Sequence, residues 1–484
     1  MNAPVRRLAL LVAALFGSLL VSTTLIQYVF AADLNARADN RRTLLSTYAR
    51  DRGDILVGQT PIATSEPSDD EFKYQRIYAE GPLYAHVTGF YSFYGASGGL
   101  EQAEDSLLSG SSDKLFYRRV SDLFTGRKPQ GANIETTLDP AVQEAAARGL
   151  DGVKGAAVAL DPSTGAILAL VSRPTYDPNS VSGHDLEEVE TRYAALNEDP
   201  DTPLVDRAIS GDLYPPGSVF KVVTAAAGLT SGDVTPDSVL PGGAFLELPQ
   251  TDATLPNHDN VPCSPTGEVT LTEAMVVSCN PAFGQLGMDI GAEALQDQAA
   301  RFGFGDAVSV PMPVTPSSVP SDMNEPQLAQ ASIGQYDVRV TPLQMAMVAA
   351  AVGNNGRVMK PYLDQSVIGS DLSVIESAGR TELSEAVPSE VAGQLRDMMV
   401  DVVQRGTGTL AQIPGVEVAG KTGTAEHGTG RKAHAWFIAF APADDPEIAV
   451  AVIVEDAAAA GSEISGGQVA GPIARQMMEA RLNE

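Results

Sequence analysis

Residues 155–171 (GAAVALDPSTGAILALV) set two apolar, β-rich runs on either side of Asp161-Pro162-Ser163-Thr164-Gly165. Asp, Pro, Ser and Gly are the residues of tight turns, so the stretch predicts a hairpin, and a hairpin means antiparallel pairing. The same arrangement returns far downstream, where residues 435–440 (AWFIAF) and 448–454 (IAVAVIV) flank a Pro/Asp turn at 441–447. Helix patterns lie between the two pairs, at 343–352 and 389–403. Strands at both ends with helices between them predict an α+β domain: an antiparallel sheet, flanked by helices, that closes only late in the chain.

With 484 residues there is room for two or three domains. Residues 8–30 are apolar apart from a few Ser, Thr and Gln, long enough to cross a bilayer as a helix. A cleaved signal peptide is the rival, with Arg6-Arg7 before the apolar run and Phe30-Ala31-Ala32 resembling a cleavage site; the length of the run favours an uncleaved anchor. Arg37, Arg41 and Arg42 beyond the run outnumber Arg6 and Arg7, so charge does not set the orientation. A short basic tail left inside is the simpler topology, with the mass of the protein outside the cytoplasm. The expected organisation is a tail at 1–7, an anchor at 8–30, a small non-catalytic module at 31–132 and the main domain at 133–484. Within the module, 60–70 (TPIATSEPSDD) has the composition of a loop and 100–108 a short helix pattern. Near Asn133 a strand is expected, then a helix beginning at Pro140.

Net charge is −29 with a pI near 4.4, which argues against nucleic acid as a partner and fits a solvated acidic surface. Cys263 and Cys279 are the only cysteines, which excludes a disulfide framework and a four-cysteine metal site but permits one bridge. The five histidines show no metal-binding spacing, so neither metal nor cofactor is expected.

The run 214–229 (YPPGSVFKVVTAAAGL) carries one charge, Lys221, three residues after Ser218. On a helix that spacing puts amine and hydroxyl on one face, and the prolines at 215–216 predict a helix start that sets Ser218 at the positive end of the dipole. For Lys221 to serve as a base near neutrality its pKa must fall from about 10.4 by roughly three units, a shift of about 4 kcal/mol. Apolar neighbours and a second cation supply such shifts. The spacing alone says little: Ser111-Ser112-Asp113-Lys114 repeats it in a polar setting and reads as surface. Two further motifs carry the assignment. Ser278-Cys279-Asn280 is the only Ser-x-Asn, and Lys421-Thr422-Gly423-Thr424 holds the only Lys-Thr-Gly.

This ordered trio resembles the signature shared by penicillin-binding proteins and class A β-lactamases. The wider chain is similar to class B penicillin-binding proteins of the penicillin-binding protein A type, through Arg52-Gly-Asp-Ile-Leu56, Gly95-Ala-Ser-Gly-Gly-Leu-Glu101 and the 161–169 hairpin. It continues in Arg173-Pro-Thr-Tyr-Asp-Pro-Asn179, Ser332-Ile-Gly-Gln335, Thr341-Pro-Leu-Gln344 and Gly466-Gly-Gln-Val-Ala470. The resemblance implies a penicillin-binding, β-lactamase-like α+β fold behind a pedestal- or dimerisation-like module and one transmembrane helix. It implies a peptidoglycan D,D-transpeptidase that cross-links stem peptides ending in D-Ala-D-Ala and is acylated by β-lactams. Ser218 would be the nucleophile, Lys221 its base, Ser278 a proton relay and Asn280 a partner for the peptide amide. Lys421 would lower neighbouring pKa values, Thr422 and Thr424 would bind the terminal carboxylate, and Gly423 would leave room for substrate along the strand. A Cys263–Cys279 bridge would pin the Ser278–Asn280 loop. A membrane glycosyltransferase of the shape, elongation and division type is the partner implied.

Rival readings start from other residues. Gly95-Ala-Ser-Gly-Gly99 fits a Gly-x-Ser-x-Gly elbow but has no apolar strand before it. Glu325-Pro-Gln-Leu-Ala329 resembles the loop that hydrolyses the acyl-enzyme of a β-lactamase, with Ala329 where an asparagine is needed. A D,D-carboxypeptidase shares every motif. A scaffold is disfavoured by intact Ser218, Lys221 and Lys421, and a β-lactam sensor by the few residues before Leu8, too short for a cytoplasmic signalling part. His427 reads as a loop residue.

Overall fold

A computed structural model describes residues 2–30, 48–93, 95–116, 130–426, 432–457 and 466–483, together with Leu34, Leu45 and Phe124. Arg37, Arg41, Arg42 and His427 lie outside the described residues. Residues 3–29 are helical, long and apolar enough to cross a membrane, with a mean hydropathy of 2.2 over the most apolar 18-residue stretch and none of it buried against the rest of the chain.

The two distant strand pairs meet in one sheet, as expected. Gly155–Leu160 (β1) and Ile167–Arg173 (β2) form the early hairpin. Ala419–Ala425 (β3), His434–Ala441 (β4) and Ile448–Val454 (β5) come last, and the sheet order is β3-β4-β5-β1-β2. The closure is antiparallel, with Val454 opposite Gly155 and Ala449 opposite Leu160. These strands read as unbroken apolar runs because both faces are covered. On one face Ala157, Phe437, Val450 and Val452 share a core with helices Pro140–Gly149 (α1) and Gly466–Leu482, the last helix. On the other, Val158, Trp436, Ile438 and Ile453 pack into a larger core with Lys221–Ser231 (α2) and Pro342–Gly353. α1 begins where its sequence placed it: Asp139 caps it, accepting from the N–H groups of Ala141 and Val142, with Pro140 in the first turn.

The second sheet departs from expectation. Residues 60–67 are a strand, not a loop, pairing with Ile55–Val57 on one side and Tyr74–Tyr78 on the other. Its prolines fall at positions 61 and 67, near the two ends, while Ile62 and Ala63 between them enter the core. The six strands run Val374–Ser377, Asp364–Ile368, Asn133–Thr136, Ile55–Val57, Thr60–Pro67, Tyr74–Tyr78. It therefore draws strands from both sides of residue 133. The helix pattern at 100–108 divides at Glu104 into two short helices. At the heart of this module Glu101, fully buried, accepts from Arg52 Nε at 2.5 Å, Arg76 Nε at 2.6 Å and Tyr78 Oη at 3.1 Å.

Candidate active site

Ser218 stands in a 3₁₀ turn, Gly217–Phe220, and the α-helix begins only at Lys221. The helix start expected at the prolines is thus delayed by one turn. Gly217 is the cause: its φ is +55°, and a Cβ there would lie 2.6 Å from the carbonyl oxygen of Thr424. The chain is pressed so closely against β3 that it takes a left-handed residue before it can enter a helix. Gly217 N–H donates to the Gly334 carbonyl at 2.9 Å, which fixes the turn from its other side.

Lys221 is fully buried and faces three oxygens. Its Nζ donates to Ser278 O at 2.6 Å and Asn280 Oδ1 at 2.7 Å, and Ser278 Oγ lies 3.3 Å away. The Phe283 ring covers it, 5.5 Å from Nζ to the centroid. Burial, and then the charge of Lys421, hold the amine well below its ordinary value. Among the hydrogen bonds of the described residues none involves Ser218 Oγ, so this hydroxyl is free to turn toward the amine one helical turn on.

Ser278 occupies the left-handed region at φ +60°, unusual for a residue with a side chain and costing about 1–3 kcal/mol. Covalent and hydrogen-bonded restraints hold it there. Cys279, next along, is joined to Cys263 by a disulfide. Asn280, which opens helix Asn280–Ile290, donates its backbone N–H to Asn257 Oδ1 at 3.1 Å and its Nδ2 to Pro256 O at 2.9 Å.

Lys421, on β3, is also fully buried, and burial pulls its pKa down to about 7. Its Nζ donates to Ser278 Oγ at 2.8 Å and Thr422 O at 2.9 Å. Two lysines far apart in the chain thus converge on one serine hydroxyl. Thr422 Oγ1 lies 2.7 Å from Thr407 Oγ1. Period-2 alternation sends Thr422 and Thr424 to the same side, and both line a cleft of about 680 Å³ with Ser218, Ser278 and Asn280. At Gly423 a Cβ would stand 2.9 Å from Trp436 Cβ and 3.0 Å from Val219 Cγ1, so the missing side chain makes room for the protein's own packing.

Some site residues escaped the sequence reading. Asn257 and Thr407 anchor Asn280 and Thr422, yet neither sits in a motif that marks it. The Gln335 carboxamide brackets the backbone of Glu426 just past β3, accepting from its N–H and donating to its carbonyl, both at 3.2 Å. Gln335 belongs to a stretch that carried the resemblance without a role. Glu325, the candidate hydrolytic base, is exposed and does not line the cleft. Ala329 is buried.

Residues 155–479 match the family model described as penicillin binding protein transpeptidase domain, and residues 52–134 match the penicillin binding protein A dimerisation domain. The chain is 45% identical to the peptidoglycan D,D-transpeptidase PbpA of Mycolicibacterium smegmatis over the whole of both proteins. Its identity to PbpA of Mycobacterium tuberculosis is 44%, over 100% of this chain and 99% of that protein. The solved structure of penicillin-binding protein A from M. tuberculosis as its penicillin G acyl-enzyme covers 90% of this chain and all of its own, with a TM-score of 0.85 and 44% identity. Fold, motifs, buried lysine pair and full-length similarity agree: the chain belongs to the penicillin-binding protein transpeptidase family.

Proposed function

We propose that this chain cross-links peptidoglycan stem peptides as a serine D,D-transpeptidase, with Ser218 as its nucleophile. One observation carries the reading: two fully buried amines, Lys221 and Lys421, meet at Ser278 beside the turn that presents Ser218.

A neutral Lys221 has two N–H bonds and one lone pair. The N–H bonds are used on Ser278 O and Asn280 Oδ1, which leaves the lone pair for a hydroxyl. Ser218 Oγ attacks the carbonyl between the two terminal D-alanines while its proton passes to Lys221. Backbone N–H groups of Ser218 and Thr424 hold the oxyanion, each donor contributing about 3–4 kcal/mol. The C–N bond breaks, the proton moves from Lys221 through Ser278 to the leaving amine, and D-alanine departs. An amine from a second stem peptide then attacks the ester, its proton returns by the same route to Ser218, and the cross-link is made. Thr422 and Thr424 receive the donor's terminal carboxylate, Asn280 its peptide amide, and Lys421 supplies positive charge. β-Lactams acylate the same serine.

Glu325, in the stretch that resembles a β-lactamase's hydrolytic loop, is exposed and does not line the cleft, which disfavours hydrolysis of that type. In this reading the helix at residues 3–29 anchors the chain, the cleft lies outside the cytoplasm, and residues 31–132 carry the 133–484 domain above the membrane. A membrane glycosyltransferase supplies the strands to be joined. Fluorescent penicillin should label the full-length chain and fail to label Ser218→Ala; persistent labelling of the variant overturns the assignment. Release of D-alanine that is unaffected by added acceptor amine, with no cross-linked product, would make the enzyme a carboxypeptidase instead.

A further inference from the structure

The turn that presents Ser218 has few handles. Pro215 and Pro216 lack N–H groups, so between Tyr214 and Gly217 only carbonyl oxygens can be gripped. The Pro215 carbonyl is gripped by Trp436, whose indole Nε1 donates to it at 3.1 Å in a fully buried contact. Trp436 lies on β4 directly opposite Gly423 of β3. The space left by the missing side chain of Gly423 is taken by Trp436 Cβ at 2.9 Å and Pro216 O at 3.1 Å. One residue therefore touches both sides of the reaction centre: through its backbone the strand that carries Thr424, and through its indole the turn that carries Ser218.

The indole is itself held. Tyr214 packs edge-on against it with 6.1 Å between ring centroids, and Tyr214 Oη donates to Glu455 Oε1 at 2.6 Å, an oxygen that also receives Arg207 Nε at 3.0 Å. Trp436 does not line the cleft and cannot meet substrate.

We propose that Trp436 is a positioning residue for acylation: its indole N–H sets the separation between Ser218 and the Thr424 backbone. This rests on the reading of Ser218 as nucleophile and of the Thr424 N–H as an oxyanion donor. Misplacement of reacting groups by about 1 Å costs on the order of a hundredfold in rate, so a single hydrogen bond across the centre has more leverage on the chemical step than on binding.

The chain offers a clean test because Trp436 is its only tryptophan. Replacing tryptophan globally with benzothienylalanine swaps N–H for sulfur at this one site and keeps the ring. In the full-length protein the acylation rate constant at saturating penicillin should fall about tenfold, the loss of one hydrogen bond, while the penicillin dissociation constant changes less than about twofold. Replacement with 7-azatryptophan, which retains the N–H, should stay within about twofold of the parent. An unchanged rate constant with a lowered melting temperature would assign the indole to stability alone and overturn the proposal. So would a loss seen in the dissociation constant, or an equal loss with both analogues. Mapping the penicillin adduct in the unmodified protein tests the parent reading separately, since an adduct away from Ser218 sinks that reading whatever the tryptophan analogues do.

Discussion

The molecule buries charge in two places and treats it in opposite ways. In the N-terminal module Glu101 lies fully buried between Arg52 and Arg76. Burial alone would push its carboxyl up, but the two guanidinium groups outweigh that and hold it below its ordinary value. In the cleft Lys221 and Lys421 are buried as deeply, and the hydrogen-bond partners they have are neutral oxygens of Ser278, Asn280 and Thr422. Both amines are lowered, by burial first, and Lys221 further by the charge of Lys421. A buried charge with its counter-ion stays charged and holds parts together. An amine without a counter-ion is pushed toward its neutral form.

The sharpest way to break this contrast is Lys221→Met, which keeps the bulk and removes the amine. Acylation by penicillin should fall about 10²–10⁴-fold, while the urea midpoint should hold or rise because an uncompensated buried amine has gone. A large loss of stability would show Lys221 to be a structural ion after all. Glu101→Gln should do the reverse. It leaves buried Arg76 without a counter-ion and Arg52 with only the half-exposed Asp105, and should cost about 3–5 kcal/mol in denaturant unfolding, leaving acylation per folded molecule unchanged.

Titration gives a smaller, graded effect. The folded pKa of Lys421 is lowered from 10.5 to about 7, so below that both folded and unfolded chains carry its proton and it adds no pH dependence. Between the two values the unfolded chain binds the proton and the folded one does not, so stability should rise with pH, by up to about 1.4 kcal/mol per unit. Lys421→Met should make that slope shallower, the part that Lys221 contributes remaining, and an unaltered slope would assign it to other groups. The least effect is expected from Lys114→Ala. Lys114 has the same spacing to Ser111 as Lys221 has to Ser218, but it is about half exposed and pairs with Glu376. Its loss should cost no more than about 1 kcal/mol and leave penicillin labelling intact.

Much of this was legible in the sequence, because the informative features are local. A turn between apolar runs gives a hairpin, and Ser-x-x-Lys fixes a hydroxyl and an amine on one turn. The strand at 60–67 was not legible, since its prolines count against pairing unless their places in the register are known. Nor was the capture of 364–377 by the module's sheet, a pairing between segments more than two hundred residues apart that short-range pattern does not encode. Gly423 shows the same limit: the sequence marks the glycine, and only the packing of Trp436 and Val219 against it tells what the space is for.

The sequence by itself determined which residue types the reaction would have: a serine and a lysine on one turn, a second serine and an asparagine two apart, a lysine and threonines on one strand. Tertiary structure decided what they are. Burial without a counter-ion pushes Lys221 toward its neutral form, where Lys114 is a surface ion. The left-handed backbone at Ser278 turns its hydroxyl toward both lysines, and Gly217 against Thr424 brings the Ser218 turn to its strand. The reason is physical: reactivity here depends on dielectric and on distances of a few ångström, which are set by contacts between segments far apart in the chain.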